Sequence, residues 1–370
     1  MTASKPHLRI LGTRGVPAQH GGFETFAEQC ALYLSRHGWN VTVYCQEHGE
    51  GPIQEDEWQG VRRVLVPVRR RGSLSTMIFD WLAIAHACQE EGVILCLGYN
   101  TALFNLRLRL KGIPTIMNMD GIEWRRDKWH WAAKCWFYIN EKAGMRLSDH
   151  LIADNPGIAR HLEKQGARTP LTTIAYGAAC LENISPEPLA RFGLKENGYL
   201  LIIARPEPEN SILKMVRAFC SKMRNYRLVI LGDYSSEHPY QRKVKEAANE
   251  QVLFCGALYD REVVDALRYH CRLYLHGHTV GGTNPSLVEA MGAANAVIAH
   301  DNVFNRWVTG PEAACFFSSE AECLQRIDAL LEDQKSILQM KDASRKRFRE
   351  VFTWDKVLAK YQSCLEAYLS

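Results

Sequence analysis

The sequence contains no run approaching the roughly 18 apolar residues of a membrane span, and its start, MTASKPHLRI, lacks the apolar core of a signal peptide. The expectation is a cytoplasmic protein. It also has no C-x-x-C pair. Its twelve cysteines are scattered, and the closest (Cys88 and Cys96, Cys315 and Cys323) stand eight apart. Cys30, Cys45, Cys96, Cys220, Cys255 and Cys271 lie in or beside apolar runs, where cysteine behaves as a small hydrophobe. Reduced thiols are expected, with no zinc site or redox pair. There is no D-x-D-like metal motif in a suitable loop, no low-complexity tract and no short-period repeat, and no nucleic-acid partner is expected.

What is present is a chain of 370 residues, 46% hydrophobic and 23% charged, enough for two globular domains. Short apolar strands alternate with amphipathic helices, the pattern of a parallel sheet covered on both faces. Strands are expected at Leu8–Gly12, Val41–Cys45, Val61–Pro67, Val93–Leu97, Thr115–Met119, His150–Ala153 and Thr172–Ala175. Between the first two, Phe23, Phe26, Ala27, Cys30, Ala31 and Leu34 form a helical stripe. Residues 180–198 read as a linker. The pattern then restarts at Tyr199–Ala204, Arg227–Leu231, Val252–Cys255, Leu273–His276 and Ala296–Ala299. The expected fold is α/β, with two Rossmann-like, doubly wound parallel-sheet domains and a cleft between them. The domains are expected at 1–180 and 181–352. A C-terminal helix over 353–370, with Trp354, Val357, Leu358, Tyr361, Leu365 and Tyr368 on one stripe, is expected to pack back on the first domain.

Two loops carry the chemistry. The first runs from Gly12 through Arg14 and His20 to Gly21, Gly22 and Phe23, between a strand and a helix start. Free amides and the helix dipole favour anions there, and glycines let the backbone approach them. The spacing is not G-x-G-x-x-G, so a dinucleotide dehydrogenase is a weak alternative, and a plain turn is the bland one. The second loop is HGHTVGGTNPSLVEAM, from His276 to Met291. Amides at Gly281, Gly282 and Thr283 could cradle a diphosphate ahead of a helix opening near Asn284. Glu289, inside the apolar run Leu287–Met291, is expected to be a buried carboxylate that needs partners, such as ribose hydroxyls. His276 and His278 are ligand contacts or packing residues.

LGTRGVPAQHGGFETFAE, MDGIEWRRDKW, IARPEPENSI and HGHTVGGTNPSLVEAM, in that order, resemble retaining glycosyltransferases of family 4, of the GT-B fold, and more narrowly the bacterial rhamnosyltransferases of surface-polysaccharide synthesis. The resemblance spans nearly the whole chain. It implies a nucleoside-diphosphate donor, dTDP-linked, and a saccharide or polyprenyl-diphosphate-linked acceptor. Glu289 matches the family's ribose-binding glutamate, while Gly281 replaces the other glutamate of the E-x7-E motif. Arg205 matches the arginine that neutralises the donor diphosphate. Asn210 stands where a lysine is expected, so Lys214 is an alternative cation. Asp120 stands where many relatives carry a histidine.

Asp120, just after a strand, is a candidate to accept a sugar hydroxyl or the acceptor's proton, with Glu123 as backup; a turn or cap role is the alternative. The donor phosphate itself is expected to help remove that proton, without a metal or other cofactor. A sugar-nucleotide epimerase and a non-catalytic sugar-nucleotide-binding protein are the competing functions. Net charge is +4; residues 1–180 hold 21 Lys/Arg against 17 Asp/Glu and the remainder 24 of each. Arg62, Arg63, Arg69, Arg70 and Arg71, with Arg107, Arg109 and Lys111, suggest an anionic partner or a solvated face. Four of the nine tryptophans lie between Trp124 and Trp136 beside Arg125, Arg126, Lys128 and Lys134. Either these rings are core, or the first domain docks reversibly on the inner face of the cytoplasmic membrane.

Overall fold

The computed structural model describes residues 5–19, 21–70 and 72–369, so His20 and Arg71 lie outside the described residues. The chain divides into two compact units. The first comprises Met1–Arg125, Trp129–Ala175 and Trp354–Ser370; the second comprises Arg126–Lys128 and Tyr176–Thr353.

The first unit holds eight strands: β1 (His7–Leu11), β2 (Asn40–His48), β3 (Gln54–Trp58), β4 (Val61–Val68), β5 (Val93–Leu97), β6 (Thr115–Asn118), β7 (His150–Ala153) and β8 (Leu171–Thr173). Their order is β3-β4-β2-β1-β5-β6-β7-β8. All pair in parallel except β3, which runs antiparallel to β4 at the edge. Strand β5 (VILCL) is buried throughout because helices cover both faces. Strand β3 (QEDEW) was not anticipated: it has no apolar alternation, and its charges suit an exposed edge.

Ion pairs absorb much of the two basic stretches, at the β3 edge and beside β7. Arg62 pairs with Glu55 at 2.7 Å and Glu90 at 2.8 Å, Arg63 with Asp56, Arg69 with Glu50 at 2.8 Å, and Arg109 with Asp149 at 2.5 Å. Helix Gly22–Arg36 buries Phe26, Ala27, Cys30, Ala31 and Leu34. Against it lies helix Trp354–Glu366, with the Phe26 and Tyr361 rings 4.6 Å apart. The Tyr361 hydroxyl accepts a 2.8 Å hydrogen bond from Asn118 Nδ2 at the end of β6.

The second unit holds β9 (Tyr199–Ile203), β10 (Arg227–Leu231), β11 (Val252–Gly256), β12 (Leu273–His276), β13 (Val297–His300) and β14 (Ala314–Phe317). All pair in parallel, in the order β11-β10-β9-β12-β13-β14. Written from β9, this is the 3-2-1-4-5-6 order of a doubly wound sheet, whose direction of winding reverses between β9 and β12. Strand β14 (ACFF) was not anticipated. The segment read as a linker is structured: Glu187–Phe192 forms a 3-10 turn with Leu189 buried, and the Ile184 carbonyl lies 2.9 Å from His270 Nε2.

Candidate active site

In a doubly wound sheet, ligands bind beyond the carboxyl ends of the strands where the winding reverses. In the second unit that point lies between β9 and β12. The loop after β9 supplies Arg205 and Asn210, and the loop after β12 supplies His278 and the Gly281–Gly282 turn.

The two loops are joined through one amide. Asn210 Nδ2 donates to the Arg205 carbonyl at 2.8 Å, which leaves Asn210 Oδ1 to face His278 Nδ1 at 2.7 Å. An acceptor there requires the proton on Nδ1, so His278 Nε2 keeps its lone pair. Burial first, then the charges of Arg126 and Arg205, push the His278 imidazole down to about 3. Burial also pushes His276 down to about 3, and its Nε2 has no hydrogen-bond partner. His300 is lowered by burial and by the nearby Lys214 charge. Three neutral imidazoles therefore sit beside two cations. Arg205 is exposed and forms no ion pair among the described residues, while Lys214 Nζ reaches only the Ser318 carbonyl, at 3.3 Å.

Gly277, between the two histidines, has no room for a side chain: a Cβ would lie 2.0 Å from the Asn210 carbonyl oxygen. The backbone beyond it is pinned by Asn302 and Asn305, whose amides each donate to the His278 carbonyl at 2.9 Å. Thr279 donates twice to the Glu209 carbonyl, at 2.9 Å from both its amide and its hydroxyl. The Glu209 carboxylate accepts from Arg126 Nε at 2.8 Å and is buried. Sequence reasoning missed Arg126 and Glu209; they stand 83 positions apart, so no local pattern joins them.

Gly281 takes φ +84°, a left-handed conformation natural to glycine, at the place of the expected glutamate. Helix Pro285–Gly292 follows, with Pro285 at its first position. Asn284 Oδ1 accepts from the Ser286 amide at 3.0 Å, so this side chain caps the helix. The free amides and dipole at this helix N-terminus favour negative charge.

Glu289 corrects an expectation. Its side chain is 35% exposed rather than buried, and its Oε2 accepts from Arg268 NH2 at 2.7 Å. The Arg268 side chain is only 6% exposed and also pairs with Asp265 at 3.3 Å. The apolar run misled because Leu287, Val288, Ala290 and Met291 cover the inward faces of the helix and leave position 289 outward. Arg268, on helix Arg261–Tyr269, fixes the carboxylate and was not foreseen.

In the first unit, Gly21 is the extended residue before helix Gly22–Arg36, and Gly22 is its first residue. Asp120 follows β6 with φ +48°, its amide donating to Asn118 Oδ1 at 2.9 Å. Aspartate tolerates that conformation. Glu123 is buried: its amide donates to Tyr99 Oη at 2.8 Å and its carboxylate accepts from Trp129 Nε1 at 3.2 Å. The tryptophan-rich segment does not present four rings together. Trp124 donates to Glu141 at 3.0 Å, Trp129 to Glu123, and Trp136 to the Asn100 carbonyl at 2.8 Å; Trp131 is 79% exposed.

Residues 190–347 match the family described as Glycosyl transferases group 1. Residues 5–179 match a domain described as being of unknown function, DUF1972. No curated protein matches the chain by sequence. Among solved structures, the chain is similar to sucrose-phosphate synthase from Thermosynechococcus elongatus, with a TM-score of 0.84, 15% identity, and 98% of this chain and 99% of that one covered. It is similar to Anabaena HepE in complex with UDP and glucose (TM-score 0.77, 13% identity, 99% and 100% covered). It is also similar to a UDP-forming α,α-trehalose-phosphate synthase from Burkholderia xenovorans in complex with glucose-6-phosphate (TM-score 0.75, 12% identity, 97% and 100% covered). The chain has the GT-B fold and carries a glycosyl transferases group 1 domain, which together support a glycosyltransferase. Among the described residues, no helix is long and apolar enough to cross a membrane.

Proposed function

We propose that the chain is a retaining glycosyltransferase that moves rhamnose from a dTDP-linked donor to a polyprenyl-diphosphate-linked saccharide in surface-polysaccharide synthesis. The observation that supports the nucleotide-sugar part is that Arg205 acts on His278 and Lys214 on His300, in the loops after β9, β12 and β13, while the β12 loop runs through the Gly281–Thr283 turn into helix Pro285–Gly292. The solved complexes with UDP and glucose, and with glucose-6-phosphate, support a nucleotide-sugar donor and a saccharide acceptor by likeness of fold. Rhamnose, dTDP and the lipid-linked acceptor rest on the motif resemblance.

On this reading the donor diphosphate lies on the second unit's loop amides and the two cations. Glu289, held by Arg268, takes the ribose hydroxyls. The bond from the anomeric carbon to the diphosphate oxygen breaks while the acceptor oxygen bonds on the same face. The acceptor's proton passes to the departing diphosphate. Arg205 and the loop amides stabilise the charge that develops there, without a metal. Neutral His278 offers Nε2 as an acceptor for a donor hydroxyl, and Asp120 accepts from a sugar hydroxyl. Glu123, tied to Trp129, serves the fold more than the chemistry. Incubating donor with and without a panel of acceptors tests this. Product that forms only with acceptor is expected; a changed sugar nucleotide without acceptor would make the chain an epimerase, and binding without any product a silent one.

We place the protein in the cytoplasm, in reversible contact with the inner membrane face. Trp131 and Leu110, 79% and 78% exposed, support that contact more than the paired arginines do.

A further inference from the structure

In the first unit the chain leaves β6 through a bend. Of the side chains from Asn118 to Glu123, only that of Asp120 is not buried. Its φ of +48° is a left-handed conformation that strains a residue with a Cβ, so it persists only where the surroundings fix it. Two buried phenols, distant in the sequence, bracket it.

Before Asp120, the Asn118 side chain bonds on two sides. Its Oδ1 accepts from the Asp120 amide at 2.9 Å, and its Nδ2 donates to Tyr361 Oη at 2.8 Å. This order cannot be reversed. A backbone N–H only donates, so the oxygen of the side-chain amide faces Asp120 and the nitrogen faces the phenol. Tyr361 is buried on helix Trp354–Glu366, its ring 4.6 Å from that of Phe26, and stands 243 positions from Asn118. After Asp120, buried Tyr99 donates its hydroxyl proton to the Gly121 carbonyl at 3.0 Å and accepts from the Glu123 amide at 2.8 Å.

The sheet holds the backbone only as far as Met119. The Gly98 amide donates to the Asn118 carbonyl at 2.9 Å, and the Met119 amide to the Ile152 carbonyl at 2.8 Å. From Asp120 onward the two phenols take over. A bend that served the path of the chain alone would be met by glycine at position 120, which takes this φ without strain. An aspartate held there, among buried neighbours, presents one carboxylate at a fixed angle.

We propose that Tyr361 and Tyr99 are positioning residues for the Asp120 carboxylate, Tyr361 acting through Asn118 and Tyr99 through the Gly121 carbonyl and the Glu123 amide. The C-terminal helix then serves the reaction as well as the core of the first unit. That Asp120 meets a sugar hydroxyl rests on the function proposed above; the bracket around it does not.

The test pairs steady-state kinetics with backbone-amide exchange read by mass spectrometry, both on the full chain. With dTDP-rhamnose and an acceptor from the panel, Tyr361→Phe and Tyr99→Phe should each lower kcat about tenfold, short of the roughly hundredfold that a 1 Å misplacement costs. KM for the donor and the affinity for dTDP should stay at wild-type values. In an Asp120→Ala background neither substitution should lower the residual rate further, because both act through that carboxylate. Exchange over residues 119–123 should quicken severalfold in each variant, with the rest of the first unit unchanged. A wild-type kcat in either variant, or an equal loss in the Asp120→Ala background, overturns the proposal. If no donor and acceptor pair turns over, the function proposed above fails, and exchange alone decides the bracket: quickened exchange upholds it and unchanged exchange overturns it.

Discussion

Asn210 Oδ1 accepts the Nδ1 proton of His278 at 2.7 Å while Asn210 Nδ2 donates to the Arg205 carbonyl, so one amide joins the β9 loop to the β12 loop. A lysine at position 210 could not make this pair of bonds, because an ammonium donates only. The neutral amide sets the tautomer of a histidine in place of adding a charge.

The same junction sets a steric limit. Gly277→Ala puts a methyl group 2.0 Å from the Asn210 carbonyl oxygen, so the backbone must shift. Urea unfolding is expected to show a loss of about 1–3 kcal/mol, the usual cost of overpacking. Nucleotide binding should weaken as well, because the loops carrying Arg205 and His278 move apart. A variant with wild-type stability and binding would show that the two loops adjust freely.

Buried neutral histidines make the second unit sensitive to acid. His276 and His278 have an ordinary value of 6.5, which is retained when the chain unfolds, and about 3 in the fold. Below 6.5 the unfolded chain takes up protons that the folded chain refuses. Stability is thus full above 6.5 and falls as pH drops toward 3, by up to about 1.4 kcal/mol per pH unit for each histidine. Unfolding free energies at pH 7.5, 6 and 5 should show this decline, and His278→Gln should make it shallower by one proton. Stability flat from 7.5 to 5 would mean these imidazoles reach solvent.

Glu289 and Arg268 should act as a unit. Glu289→Ala is expected to cost about 1.5–3 kcal/mol of nucleotide affinity, or one to two decades. Arg268→Met should lower affinity too, through the released carboxylate. The double variant should lose little more than Glu289→Ala alone, since neighbours that share an interaction are not additive. Additive losses would separate Arg268 from the site.

The alternation of apolar strands located twelve of the fourteen strands found among the described residues, several to the residue, as in β5 and β12. It missed β3, whose charges read as a loop, and β14, a short strand before helix Glu320–Glu332. The turn and helix start after β12 were legible because Gly281, Gly282, Asn284 and Pro285 lie close together in the chain. Their supports were not: Arg268 meets Glu289, and Arg126 meets Glu209, only through the fold. Burial of Glu289 was misjudged because periodicity, not local hydrophobicity, decides which way a helical residue points.

The membrane reading now rests on specific side chains. Trp131 is exposed, whereas Trp136 is hydrogen-bonded to Asn100. Sedimentation with anionic liposomes at low salt should carry the chain down, and Trp131→Ser should reduce the bound fraction severalfold. Because Arg62, Arg63, Arg69 and Arg109 are already paired with acids, moderate salt should weaken binding only partly. No co-sedimentation at low salt contradicts the contact.

The central claim is that Arg205 and the β12 loop hold a nucleoside diphosphate at the reversal point of the second sheet. Calorimetric titration of the full chain with dTDP, UDP and thymidine, for wild type and Arg205→Ala, tests it most directly. The wild type should bind a diphosphate. Arg205→Ala should lose about 1.5–3 kcal/mol of that affinity, the value of a charge-assisted contact, while thymidine binding stays unchanged. A wild type that binds no diphosphate, or an Arg205→Ala variant that binds it equally well, would contradict the account.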